Sequence, residues 1–93
     1  MIVSFADHDA ERLFRRQRVK RLDPRLHRKA LIKLWLLDAV QELDELRVPP
    51  GNRLEALRGA RIGQHSIRIN DQWRICFVWT PASPSEVEIV DYH

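Results

Sequence analysis

Apolar positions recur at helical spacing through the first half of the chain and at alternating spacing through the last third. Met1-Ile2-Val3-Ser4-Phe5 is short and largely apolar, the pattern of a first strand. Asp7 is then placed to cap a helix from about His8 to Arg16, anchored by Leu13 and Phe14. After a break around Val19 to Leu22, Asp23-Pro24 sets an N-cap residue before a first-turn proline and predicts the start of a long helix. Leu26, Ile32, Leu36, Ala39, Leu43 and Leu46 lie along one side of it, the last five at spacings of 4, 3, 4 and 3, and Ala30, Trp35, Leu37 and Val40 widen the stripe. Pro49-Pro50-Gly51 ends the helix near Arg47, because neither proline can donate the next helical hydrogen bond.

Asn52 to Gly63 reads as an irregular connection, with one short ordered piece around Leu54 to Leu57. Beyond it, Ile67 and Ile69 alternate with Ser66, Arg68 and Asn70, and Trp73, Ile75, Phe77 and Trp79 alternate with Arg74, Cys76 and Val78. These two runs predict a hairpin. A three-residue loop, Asn70-Asp71-Gln72, sets Ile69 opposite Trp73 and Ile67 opposite Ile75, whereas a two-residue loop would mix polar and apolar faces. The chosen register also sets Arg68 opposite Arg74, and like charges so paired destabilise a sheet unless an anion sits between them. That pair is therefore an expected anion site. Ser85 to Tyr92 predicts a further strand beside the Trp73 run, giving an α+β fold with two N-terminal helices packed on a small antiparallel sheet.

At 93 residues the chain has room for one domain, spanning 1–93, and one small core. Charged residues make up 31% and hydrophobic ones 44%, a balance that opposes disorder. No apolar run approaches the roughly 20 residues needed to span a bilayer, and the N-terminus lacks signal-peptide character, so no membrane role and a cytoplasmic location are expected. The single cysteine, Cys76, falls inside the alternating strand and is expected to be a buried thiol. Charge is zoned: Glu11 to Lys33 holds ten Lys/Arg against two acids, while Asp38 to Glu45 holds four acids and no base. A basic zone of this kind collects polyanions by releasing their counterions.

The residues able to do chemistry lie elsewhere. Arg53, Arg58 and Arg61 fall within nine residues near two glycines, and Arg68 and Arg74 share a strand face. Asp91-Tyr92-His93 brings a carboxylate, a phenol and an imidazole to the end of the last strand. Arginines beside an acid–base cluster suit phosphate-ester cleavage. RNA can be cut without a metal, since its own 2′-hydroxyl attacks phosphorus; the protein must hold the phosphate, neutralise growing charge and move protons. A guanidinium does the second task with a planar fork that stays charged. His93 is a candidate acid or base, inclined toward general acid by the α-carboxylate beside its ring; Tyr92 can donate and Asp91 can orient. His65, at the start of a strand next to these groups, is a candidate substrate contact. No His/Cys spacing suggests a metal site, and no phosphate-cradling loop suggests a bound nucleotide, so no cofactor is expected.

Three segments carry a resemblance: Pro49-Pro50-Gly51-Asn52-Arg53-Leu54-Glu55-Ala56-Leu57, then Gly63 to Phe77 with its Ser66-Ile67-Arg68-Ile69-Asn70-Asp71-Gln72-Trp73-Arg74 core, then Val87 to His93. Together they closely resemble the HigB toxins of the RelE/ParE superfamily in bacterial type II toxin–antitoxin systems. The resemblance implies a ribosome-dependent mRNA endonuclease, acting on mRNA held on the ribosome and in contact with ribosomal RNA. It also implies restraint by a HigA-like helix-turn-helix antitoxin, through which alone operator DNA would be contacted. Position by position, Arg74 falls on the strand arginine that stabilises the scissile phosphate, and Asp91, Tyr92 and His93 fall on the catalytic cluster. Arg58 falls where a lysine is common, a change that keeps charge but removes proton transfer, and it is expected to grip the scissile phosphate together with Arg74. Glu55 and Ala56 occupy the neighbourhood where some relatives carry a histidine, which leaves the general base unassigned. Rival readings are a toxin acting on another target, such as a topoisomerase, or an RNA-binding module without cleavage.

Overall fold

The computed structural model describes every residue except Ala82 and His93. The first helix, α1 (His8–Phe14), starts where Asp7 accepts a hydrogen bond from the Asp9 amide at 2.9 Å. The Asp7 carboxylate also accepts from Arg21 and from the Ile89 amide, so the cap ties the helix to the last strand. The helix stops two residues short of the expected Arg16. Arg16 takes a left-handed φ of 64°, its amide bonds to the Leu13 carbonyl, and the Gln17 amide reaches back to Arg12. This is a Schellman ending with arginine in the place glycine usually fills, at a cost of roughly 1 kcal/mol.

The second helix, α2 (Pro24–Ala39), begins as expected at Asp23-Pro24 but ends eight residues early. Val40 is extended, and Leu43–Arg47 forms a separate 3-10 turn, started by the Glu45 carboxylate accepting from the Gln41 and Glu42 amides. The break corrects the expected stripe. Ala30, Leu34 and Leu37 are the fully buried positions of α2, while Ile32 and Trp35 are exposed. The expected seam was phased on Leu43 and Leu46, which belong to another element; it took in the buried Ala30 and Leu37 but also the exposed Ile32 and Trp35, and passed over Leu34. Asn52 fastens the following loop: its amide donates to the Leu46 and Val48 carbonyls, and its oxygen accepts from Lys33 of α2.

Four antiparallel strands follow in spatial order β1-β2-β3-β4: β1 (Glu55–Ala56), β2 (Gln64–Arg68), β3 (Trp73–Thr80) and β4 (Ser83–Asp91). The expected hairpin register is the one observed, with Ile67 facing Ile75 and Arg68 facing Arg74. Asn70 closes the loop by accepting from the Gln72 and Trp73 amides. Ile67, Ile69, Trp73, Ile75, Phe77, Val87 and Ile89 face the helices and meet Leu13, Leu22, Leu34 and Leu37 in one core. The β3–β4 ladder shifts register between Cys76 and Val78, where Glu86 sits at φ 52° as the extra residue of a bulge. The N-terminal segment docks here. Ser4 and Ala6 exchange backbone bonds with Val87, but only a single parallel bridge, Phe5 to Val87, forms where a full first strand was expected.

Candidate active site

The pleat sorts the strand side chains into two sets. The odd positions of β2 and β3 fill the core, and the even ones, Ser66, Arg68, Arg74 and Cys76, share the opposite face with Glu55 and Glu88. Arg74 is only 7% exposed. Burying a guanidinium demands acceptors, and the sheet provides them: Nε donates to Ser66 Oγ at 2.7 Å, and Nη2 donates to the Arg53 carbonyl at 2.6 Å and lies 3.6 Å from the Glu55 carboxylate. Tyr92 lies against the guanidinium, whose carbon is 5.3 Å from the ring centroid. Among the described residues no acceptor is bonded to Nη1. The head group is thus clamped along one edge and open along the other.

Arg53, Arg68, Asn70, Asp71, Arg74 and Tyr92 line one cleft of about 200 Å³. The opposed arginines expected to make an anion site are both in its wall. Their repulsion is relieved by different means: Arg74 by the buried acceptors just named, Arg68 by an ion pair with Asp71, whose side chain is fully exposed. An exposed pair of this kind contributes at most about 1 kcal/mol, so a phosphate can displace it. Arg53 enters through its backbone as well as its side chain, since a left-handed φ of 46° accompanies the carbonyl contact with Arg74. Asp91 pairs across from Trp73 and accepts from Gln72 Nε2 at 3.2 Å, and the Tyr92 amide donates to the Gln72 carbonyl at 2.6 Å. His93 lies outside the described residues.

Four of the sequence-selected residues stand apart from this cleft. Asp91, paired with Trp73, falls on the helix-facing side of the pleat and is not in the cleft wall. Arg58 follows β1, beyond the point where Leu57 bonds to Gln64, at the end of β2 far from Arg68, and its side chain is exposed. Arg61 is committed to Glu88, at 2.6 Å, and to Gln64; the Glu88 hydrogen bond holds its pKa above the ordinary arginine value. His65 points to the other face of β2, stacked on Phe77 with ring centroids 6.2 Å apart, and its Nδ1 is buried with no hydrogen-bond partner among the described residues. Cys76 is fully buried, as expected, and desolvation pushes its thiol pKa up. Ser66 and Glu55 are partners of Arg74 that sequence reading passed over. The hairpin register offered a signal for Ser66, two residues before Arg68 on the same face. Glu55 had none, because β1 is two residues long.

Residues 3–93 fit the family model described as RelE-like toxin of type II toxin-antitoxin system HigB. The chain belongs to this HigB-like toxin family. It is 42% identical over 80 residues to Toxin HigB-1 of Vibrio cholerae serotype O1 (strain ATCC 39315 / El Tor Inaba N16961), covering 85% of this chain and 84% of that protein. The crystal structure of YafQ from E. coli strain BL21(DE3) superposes with a TM-score of 0.59 over 98% of this chain and 91% of that one, at 12% identity, which establishes the shared fold. The HigB-like chain is thus a type II toxin with two helices on a four-stranded antiparallel sheet, and its system includes an antitoxin partner. Among the described residues no helix is long and apolar enough to cross a membrane.

Proposed function

We propose that this HigB-like toxin is an endoribonuclease that cuts mRNA on the ribosome and so inhibits translation. The observation that carries the reading is Arg74: a buried guanidinium with Nε and Nη2 fixed by the protein and its remaining edge turned to a cleft walled by two more arginines. Such a group is preorganised for charge that grows on a phosphate's non-bridging oxygens, and needs no reorganisation when that charge appears. The RNA 2′-hydroxyl attacks phosphorus, the bond to the 5′-oxygen breaks, and a cyclic phosphate is left. One proton leaves the 2′-oxygen and one reaches the 5′-oxygen. His93 and Tyr92 are assigned to proton movement and Asp91 to orientation. Arg53 and Arg68 hold RNA at the cleft. Arg58 and Arg61, on the loop between β1 and β2, are assigned to neighbouring nucleotides rather than the scissile phosphate, a revision for Arg58 that its position beyond β1 supports, whereas His65, on the opposite face of β2, is not assigned to the cleft.

Partners follow from charge. The basic stretch from Arg12 to Lys33 attracts ribosomal RNA, and a HigA-like helix-turn-helix antitoxin restrains the toxin and carries any contact with operator DNA. The test is brief induction of the wild type and of Arg74→Ala in cells, with mapping of 5′-ends in translated messages. New cuts in coding regions that disappear with the variant and with blocked translation support the reading. Growth arrest without cuts would refute it and move the target to another machine.

A further inference from the structure

A second arginine-rich concavity lies on the other side of the fold from the strand cleft's chemistry, between the end of α1 and the middle of α2. Its volume is about 510 Å³. Leu13, Leu31, Ile32 and Trp35 form an apolar lining, and Arg16, Arg18 and Arg28 supply the charge. Ile32 is 47% exposed and Trp35 41%, so this lining is open to solvent. The left-handed turn at Arg16 carries its guanidinium to 5.0 Å from the Trp35 ring centroid.

The charges here differ from those around them. Arg12, Arg15, Arg21 and Arg25 each lie within ion-pair distance of an aspartate or glutamate. Among the described residues, Arg16, Arg18 and Arg28 have no such partner, and no acid lines the groove. His27 is turned inward, its Nε2 lying 2.9 and 3.0 Å from the Val19 and Leu22 carbonyls. The groove therefore combines an exposed apolar floor with uncompensated positive charge.

We propose that this groove docks an acidic, amphipathic segment of the antitoxin, with large apolar side chains on Leu31, Ile32 and Trp35 and carboxylates against Arg16, Arg18 and Arg28. An RNA strand would use the arginines but gain nothing from the aliphatic floor. A protein segment uses both, and an aromatic that a partner would cover, with flanking arginines, is the composition of an interface hot spot. The inference goes beyond the nuclease reading, rests only on the toxin having an antitoxin, and takes Arg16, Arg18 and Arg28 out of the basic stretch assigned above to ribosomal RNA.

The experiment titrates full-length toxin with the antitoxin purified from the same operon, following heat of binding, for wild type, Ile32→Glu and the double variant Arg16→Glu/Arg28→Glu. Each substituted side chain is exposed, and thermal melting checks that the variants fold. Affinity is expected to fall roughly tenfold or more in each variant, with the double variant also losing much of the salt dependence of binding. In the wild type, amide exchange over residues 13–18 and 27–35 is expected to slow on antitoxin binding, a readout that needs no variant. Affinity within about twofold of wild type for both variants, or no slowing of exchange, overturns the proposal. Loss of ribosome binding with antitoxin affinity intact also overturns it, and reassigns the groove to RNA.

Discussion

Arginine serves opposite purposes in the strand cleft and in the helix groove. In the cleft, Arg74 is 7% exposed and its Nε and Nη2 are spent on Ser66 and the Arg53 carbonyl. In the groove, Arg18 and Arg28 stand at the surface with no carboxylate beside them among the described residues. The first arrangement fixes direction: a guanidinium held by one edge presents the other at a set angle. The second fixes only sign. A sequence count of arginines treats the two alike, and packing separates them.

The largest expected effect tests direction. Arg74→Ala should lower mRNA cleavage by about 100-fold to 1,000-fold, the usual loss on removing one preorganised electrostatic group. Arg74→Lys should do nearly as badly, since an ammonium keeps the charge but cannot bond Ser66 and a phosphate from two edges of one plane. Single-turnover cleavage on programmed ribosomes measures both. Full activity in the lysine variant would show that sign alone suffices and would erase the contrast with the groove.

A smaller loss is expected one contact farther out. Ser66→Ala removes the acceptor for Arg74 Nε and leaves a buried charged donor without its partner, which costs about 1–3 kcal/mol of stability. Cleavage should fall roughly tenfold, more gently than for Arg74→Ala because the Arg53 carbonyl and Glu55 still hold Nη2. The two readouts are chemical denaturation and the same cleavage assay. Stability lost without any loss of cleavage would make Ser66 a structural partner rather than a positioning one.

The groove predicts the opposite response to a conservative change. Arg28→Lys should leave antitoxin affinity within about twofold of wild type, because a rim charge that steers a carboxylate does not depend on the guanidinium plane. Titration under the conditions used for Ile32→Glu measures this. A tenfold loss would show that Arg28 forms a planar, two-bond contact like that of Arg74.

How much of this was legible in the sequence depends on the range of the contacts involved. The hairpin register was readable because strand alternation is a period of two and a slip would expose Ile67, Ile69 and Ile75 together. That alternation by itself sets Arg68 opposite Arg74. The starts of both helices were readable from Asp7 and from Asp23-Pro24, where the capping atom sits two residues from the group it caps. Helix ends were not. Arg16 takes a left-handed turn without glycine, and α2 ends where Glu45 draws the Gln41 and Glu42 amides into a new turn. The same error widened the expected buried face of α2 too far, admitting Ile32 and Trp35, which are exposed. The clamp on Arg74 was half legible: Ser66 follows from the register, whereas Arg53 and Glu55 arrive from a loop and a two-residue strand whose pairing is decided by tertiary contacts.

Cys76 offers the mildest test of how dry the clamped face is. It lies on the Arg74 face, fully buried, and burial raises its pKa above the ordinary value of 9.0. A group whose folded pKa exceeds its unfolded one stabilises the fold fully below the unfolded value and loses that contribution as pH rises through the folded value. Between about pH 8 and about pH 10, wild-type stability should therefore fall faster than that of Cys76→Ala. Lys33 works in the opposite direction, since desolvation lowers its pKa and its deprotonation on raising pH relieves a penalty; it is common to both proteins and cancels from their difference. Denaturant midpoints across this range give the comparison, and alkylation with iodoacetamide gives an independent one, slow in the native toxin and fast once unfolded. Parallel pH profiles with rapid native alkylation would mean that water reaches the face behind Arg74. The fixed edge of that guanidinium would then be hydrated, and the distinction between directing and merely charged arginines would fail at the residue on which it rests.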